Sequence, residues 1–311
     1  ETGPVESRLA MEPAPSPDGQ HVAFAALGSL WVQDVGTTEA RRLPIDRDMP
    51  MQPSWSPDGK RLAFATWSEA DGGAVWTASA DGAGTTRVSV LPAYYRDPVF
   101  TPDGRHLLVL RSALDERRQN FFEFGSLRAS ELVELDLQTD AARVMARGEF
   151  GGRPQFTGEA GIAYLFCGEG LIRIDLANGA KTTVAKVTGP SYYFVEGNSP
   201  VDDMRISPDG STIAAAIGDR LYVLPRPSDP ETSVDVLTPD SPARVLPGLG
   251  ADWFEWSGPT RLDAVVGTLW SRIDTATAAE SAQMRLKATL PRAVPAGSLL
   301  LRGARVLTMT H

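Results

Sequence analysis

A tetrapeptide returns along this chain with the same hydrophobic frame around it each time. It reads Ser16-Pro17-Asp18-Gly19, Ser56-Pro57-Asp58-Gly59, Thr101-Pro102-Asp103-Gly104 and Ser207-Pro208-Asp209-Gly210, with worn copies at Thr157-Gly158-Glu159-Ala160 and Ser257-Gly258-Pro259-Thr260. Successive starts lie 40, 45, 56, 50 and 50 residues apart, which makes six repeats. Proline presets the backbone at the second turn position, aspartate bonds its own backbone, and glycine takes a positive φ. An apolar residue (Trp55, Phe100, Phe156, Ile206, Trp256) precedes each turn, and a run such as Val22-Ala23-Phe24-Ala25 or Leu62-Ala63-Phe64-Ala65 follows it. A third strand recurs in each unit, as in Ser29-Leu30-Trp31-Val32 and Thr268-Leu269-Trp270-Ser271. A four-stranded sheet of this kind cannot bury both faces alone and must stack on its neighbours, so the period predicts an all-β, six-bladed β-propeller with four-stranded antiparallel blades.

Six such blades fill most of 311 residues. Hydrophobic content of 42% against 22% charged residues argues for a filled core and against disorder. A net charge of −9 argues against nucleic acid as a partner, since duplex binding needs lysine and arginine against phosphate. No apolar run reaches the 18 residues of a membrane span. The single Cys167 lies in an apolar run and reads as a small core residue.

Residues 1–10 read as a lead-in, with Ser7-Arg8-Leu9 supplying an outer strand to the last blade and closing the ring. The propeller spans 11–290. Blade two carries a polar loop from Thr66 to Gly73, long enough to project; blade three carries Leu114–Gly125, where charge is mixed with Phe121, Phe122 and Phe124. The link into blade five holds Tyr192 and Tyr193. These aromatic loops read equally as segments folded back on their blades or as contacts to a second domain. Residues 291–297, with two prolines and a glycine, read as a linker. The strand at 298–311, including Leu301 and Val306, belongs to no blade and is expected to join a sheet supplied from elsewhere.

Four residues before each turn, at the start of the innermost strand, stand Glu12, Gln52, Asp97, Arg153, Asp203 and Trp253, with Asp202 and Asp252 beside the last two. In a propeller these starts converge on the axis, so they predict a largely acidic ring at the channel mouth. It reads as the ordinary wet lining of a channel or as a ring that orients a substrate. The turn carboxylates Asp18, Asp58, Asp103 and Asp209 read as turn formers, each on its own blade, and His21 and His106 as solvated strand starts. There is no Gly-x-Ser-x-Gly elbow, phosphate-binding glycine loop or Cys-x-x-Cys pair, and the three histidines have no metal-site spacing.

The Ser-Pro-Asp-Gly blades, over about residues 8–290, resemble TolB-like six-bladed propellers. The terminal Leu299-Leu300-Leu301-Arg302-Gly303-Ala304-Arg305-Val306-Leu307-Thr308-Met309 is similar to the opening strand of metal-dependent amidohydrolases, where a small β-domain precedes a barrel. Together these resemblances imply an exported, periplasmic or extracellular bacterial hydrolase of amide or peptide-like bonds. Zinc or another divalent metal would then be held in a catalytic part continuing past His311, and no cofactor or catalytic residue in this chain. Such a propeller would control substrate access or hold the catalytic domain, as a possible oligomer, with His311 a processing point or simply a limit. The alternative is a TolB-like propeller standing alone as a periplasmic protein-interaction scaffold.

Overall fold

The turn chemistry acts as the residue types require. Ser16 Oγ donates to Asp18 Oδ1 and accepts from His21 N at 2.9 Å, while Asp18 Oδ1 also accepts from Gln20 N at 3.0 Å. Gly19 stands at φ 70° and donates to Ser16 O. The same bonds recur at Ser56/Asp58, Thr101/Asp103 and Ser207/Asp209. These bonds hold the exposed turn carboxylates below the usual range, Asp103 at about 2, chiefly through the hydroxyl of the first turn residue.

The computed structural model describes residues 3–115, 130–168, 170–190, 198–248, 250–293 and 302–303. Phe121, Phe122, Phe124, Tyr192, Tyr193, Leu301 and Val306 lie outside the described residues. Six antiparallel sheets follow one another along the chain, each ordered from inside out in sequence order. Their innermost strands are Met11–Pro15, Met51–Trp55, Tyr94–Phe100, Gly151–Gln155, Asp203–Ile206 and Trp253–Trp256. The second strands, such as His21–Ala26 and Arg61–Ser68, are buried on both faces, which is why their apolar runs barely alternate. Six hydrophobic clusters form, one at each junction between adjacent blades; Phe24, Trp31, Trp270 and Leu286 fill the junction between blades six and one.

Three expectations are corrected. Blade two has no projecting loop at 66–73: its second and third strands run on to Ser68 and from Gly72, a longer hairpin with Trp67 buried against Tyr94. The worn turns differ in length, since blade four takes six residues with Gly161 at φ 71°, and blade six takes four. Blade four is wider than four strands, because Lys181–Pro190 also pairs with Asn198–Pro200 and, in parallel, with Ser233–Asp235 arriving from blade five.

The third correction concerns closure. Ser7-Arg8-Leu9 adds no strand to blade six, whose outer strand Ala279–Arg285 is its own. Instead Val5–Glu6 pairs with Thr289–Leu290 as a separate two-stranded latch. Inside the latch, fully buried Gln33 of blade one donates to Thr37 O and Arg285 O, and accepts from Lys287 N. Arg272 of blade six forks onto Asp263 and donates to Gly19 O of blade one. Closure therefore rests on buried polar bonds added to an apolar junction. Gln33→Leu leaves Lys287 N and Arg285 O without these partners and is expected to destabilise the fold by roughly 1–3 kcal/mol, read by thermal or denaturant unfolding.

Candidate functional site

In blades one to three the residue before a proline in the innermost strand sits at positive φ: Glu12 at 51°, Gln52 at 55° and Asp97 at 52°. Each marks a bulge, where the ladder to the second strand skips across Glu12-Pro13, Gln52-Pro53 and Asp97-Pro98. Proline cannot donate to the ladder, so interruption there loses no bond. Blade four bulges one residue earlier, at Gly152 with φ 70°, and blades five and six pair without a bulge. Left-handed backbone at a non-glycine residue costs about 1 kcal/mol and persists where surrounding bonds impose it.

Those bonds form a relay around the axis. Glu12 Oε2 accepts from Gln52 N at 2.9 Å, and Gln52 Oε1 accepts from Asp97 N at 3.0 Å. The relay stops at Asp97, which is 3% exposed and whose Oδ1 accepts no hydrogen bond, with Arg96 at 3.9 Å from its other oxygen. On the far side Arg205, buried completely, forks onto Asp203 and donates to Glu255 at 2.8 Å. Arg153 crosses the axis, donating to Pro53 O of blade two at 3.0 Å and reaching Glu255 of blade six at 3.4 Å. Both guanidiniums lie over the Trp253 ring, at 4.1 Å for Arg205 and 5.0 Å for Arg153. Beneath this layer, towards the turns, a cavity of about 330 Å³ is walled by all six blades, with Ala14, Ser54, Val99, Gln155, Ile206 and Trp256 among its lining.

The ring read from sequence is thus assembled for Glu12, Gln52, Asp97, Arg153 and Asp203, with Trp253 stacked among them. Asp252 and Asp202 are not part of it. Both are exposed, and each caps its own blade's hairpin, Asp252 accepting from Gly267 N and Asp202 from Gly218 N. Missed by that reading were Arg205 and Glu255, two residues nearer the turn. Their signal was a charge two residues beyond the ring position on the same innermost strand, Arg205 after Asp203 and Glu255 after Trp253. His21 bonds Asp34 and His106 neighbours Asp103 and Asp136, and both stay near solvent, away from the axis.

Burial, then repulsion from Asp97, pushes the Glu12 carboxyl up to about 7 against the attraction of Arg153 and the bonds from Gln52. Burial likewise raises Asp203 despite Arg205; burial opposes the Arg205 charge, but Asp203, Glu255 and Asp97 keep it firmly protonated. A carboxyl raised in the fold holds a proton that the unfolded chain has already released, so Glu12 lowers stability as pH rises from about 4.5 to about 7. Glu12→Gln keeps the acceptor for Gln52 N and removes the charge. Its stability relative to the native protein should improve by roughly 1–3 kcal/mol from pH 5 to pH 8 in parallel denaturant titrations. Arg205→Met strands Asp203 and Glu255 and should cost about 2–4 kcal/mol in the same assay.

No protein-family profile matches the chain, and no curated protein sequence matches it. Among solved structures it is similar to TolB from Acinetobacter baumannii, at 16% identity and a TM-score of 0.56 over 92% of this chain and 67% of that one. It is also similar to an oligogalacturonate lyase in complex with manganese, at 14% identity and TM-score 0.58, covering 90% of this chain and 78% of that one. The oligogalacturonate lyase of Vibrio parahaemolyticus gives 11% and 0.56, covering 92% and 80%. At these identities the likeness is one of fold: this chain is a six-bladed β-propeller resembling TolB.

Proposed function

We propose that this propeller is a docking module, the non-catalytic portion of a larger hydrolase of amide or peptide-like bonds, and that it holds the catalytic part on the end where the innermost strands begin. The observation that carries this is a concentration of features at that one end. Among the described residues, six of the eight exposed large hydrophobic side chains lie there: Leu9, Met11, Met49, Val90, Leu91 and Val266. All six belong to the entries of innermost strands or to a hairpin beside them. The chain also leaves the propeller there, because Leu286 N donates to Thr268 O in the blade-six hairpin just before the latch at Thr289–Leu290. Whatever follows Pro291 starts beside an apolar rim that a partner would cover.

Holding is favoured over gating, since Arg153 crosses the axis and ties blade four to blades two and six. The similarity of residues 299–309 to an amidohydrolase opening strand favours, as that partner, a β-domain followed by a metal-bearing barrel, exported with the propeller. The second reading, a scaffold binding other proteins at the same rim, draws on the likeness to TolB. Intact mass, denaturing electrophoresis and metal analysis of the protein from its natural source separate the two. The hydrolase reading expects a longer chain, or a tightly associated second fragment, carrying a divalent metal. A single metal-free species of 33.4 kDa would overturn it in favour of the scaffold.

A further inference from the structure

The axial ring has an odd charge. Its carboxylates are Glu12, Asp97, Asp203 and Glu255, and its guanidiniums are Arg96, Arg153 and Arg205. Arg205 is committed to Asp203 and Glu255, Arg153 reaches Glu255, and Arg96 stands beside Asp97 while donating to Phe150 O. One carboxylate is left over. The charges that act on Glu12 come from across the ring, Asp97 of blade three and Arg153 of blade four, while Gln52 of the adjacent blade two is bonded to it. At ordinary pH a proton shared in time with Glu12 balances the excess, and the residual exposure of this residue lets that proton exchange with solvent.

We propose that this ring is a binding site for one primary ammonium group, which enters beside Glu12 and donates to the buried, donorless Oδ1 of Asp97. The reaction balances as an exchange: an alkylammonium binds, and Glu12 gives up one proton to solvent. Three observations beyond the acidic cluster fix the chemistry. Asp97 is almost completely buried, yet its Oδ1 lacks a hydrogen-bond donor, so the ring needs a donor as well as a positive charge. Among the described residues no three carboxylates, histidines or cysteines are grouped to hold a metal ion, whereas a compact ammonium has three N–H donors, enough for the Glu12 carboxylate, Asp97 Oδ1 and one water. Finally, Leu9, Met11 and Met49, exposed at the same end, offer apolar surface to an alkyl stem. The backbone strain at Glu12, Gln52 and Asp97 accords with a ring held in place for binding. The inference concerns the ring alone and stands whichever partner covers the rim.

The test is calorimetric titration of the purified protein with n-butylammonium at pH 6 and pH 8, in two buffers of different ionisation enthalpy. Binding should tighten about tenfold from pH 6 to pH 8, with release of up to one proton at the lower pH. Glu12→Gln should abolish the proton release, and both it and Asp97→Asn should weaken binding about tenfold at pH 8. Asparagine tolerates the left-handed backbone at position 97, and thermal unfolding of each variant confirms that it is folded. Tetramethylammonium, which has no N–H donor, should not compete. A capped Gly-Lys-Gly peptide distinguishes the sources: tighter binding than butylammonium assigns the site to a protein lysine, equal or weaker binding to a free amine. Wild-type affinity in either variant, binding without pH dependence, or no saturable binding by the native protein would overturn the proposal.

Discussion

A fully buried guanidinium, that of Arg205, sets the terms for the axis of this propeller. Removing such a charge from water is strongly unfavourable unless carboxylates and hydrogen bonds replace the solvent. Asp203 from its own strand and Glu255 from the next do so, and the Trp253 ring covers its face. Glu255 then also attracts Arg153, which reaches across to blade two. One buried cation thereby draws blades two, four, five and six into a single network, and the repeat ceases to be a stack of independent sheets.

The two halves of the ring meet this demand differently. Blades four to six send long side chains inward, while in the layer nearer the turns blades one to three offer Ala14, Ser54 and Val99, small enough to leave them room. Blades one to three bulge at their prolines instead, turning the N–H groups of Gln52 and Asp97 towards the preceding blade's side chain. Bulge and relay stand together, since the positive φ at these residues has no other evident compensation. The relay ends where the long side chains begin, at Asp97. That junction is where charge and hydrogen bonding fail to balance; burial first, and then the Asp97 charge, keeps a proton on Glu12.

The blades were legible because their signal is local. Turn, apolar frame and third strand lie within a few dozen residues, and the hydroxyl, carboxylate and glycine of each turn act on one another directly. The positions on the axis were legible too, by counting back from the turn, but their partners were not. Whether Glu12 faces Gln52 N depends on a bulge in two separate blades, and Arg153 finds Pro53 and Glu255 some hundred residues away on either side. Asp252 shows how sharply this matters: one residue outside Trp253, its carboxylate turns to cap Gly267 and leaves the ring. Ser233–Asp235 left no trace in the pattern, since three residues carry no period and its partner belongs to the preceding blade. Ring closure at Val5–Glu6 rather than 7–9 was a near miss of the same kind, decided by the register against Thr289–Leu290.

The claim on which this account turns is that the axis carries one carboxylate too many and that Glu12 holds the compensating proton. A carbon-13 NMR titration of the Glu12 side-chain carboxyl tests it directly. The account predicts a midpoint near 7, falling towards the ordinary carboxylate range when Asp97 is neutralised as asparagine. A midpoint in the ordinary range in the native protein, unmoved by that substitution, would contradict it.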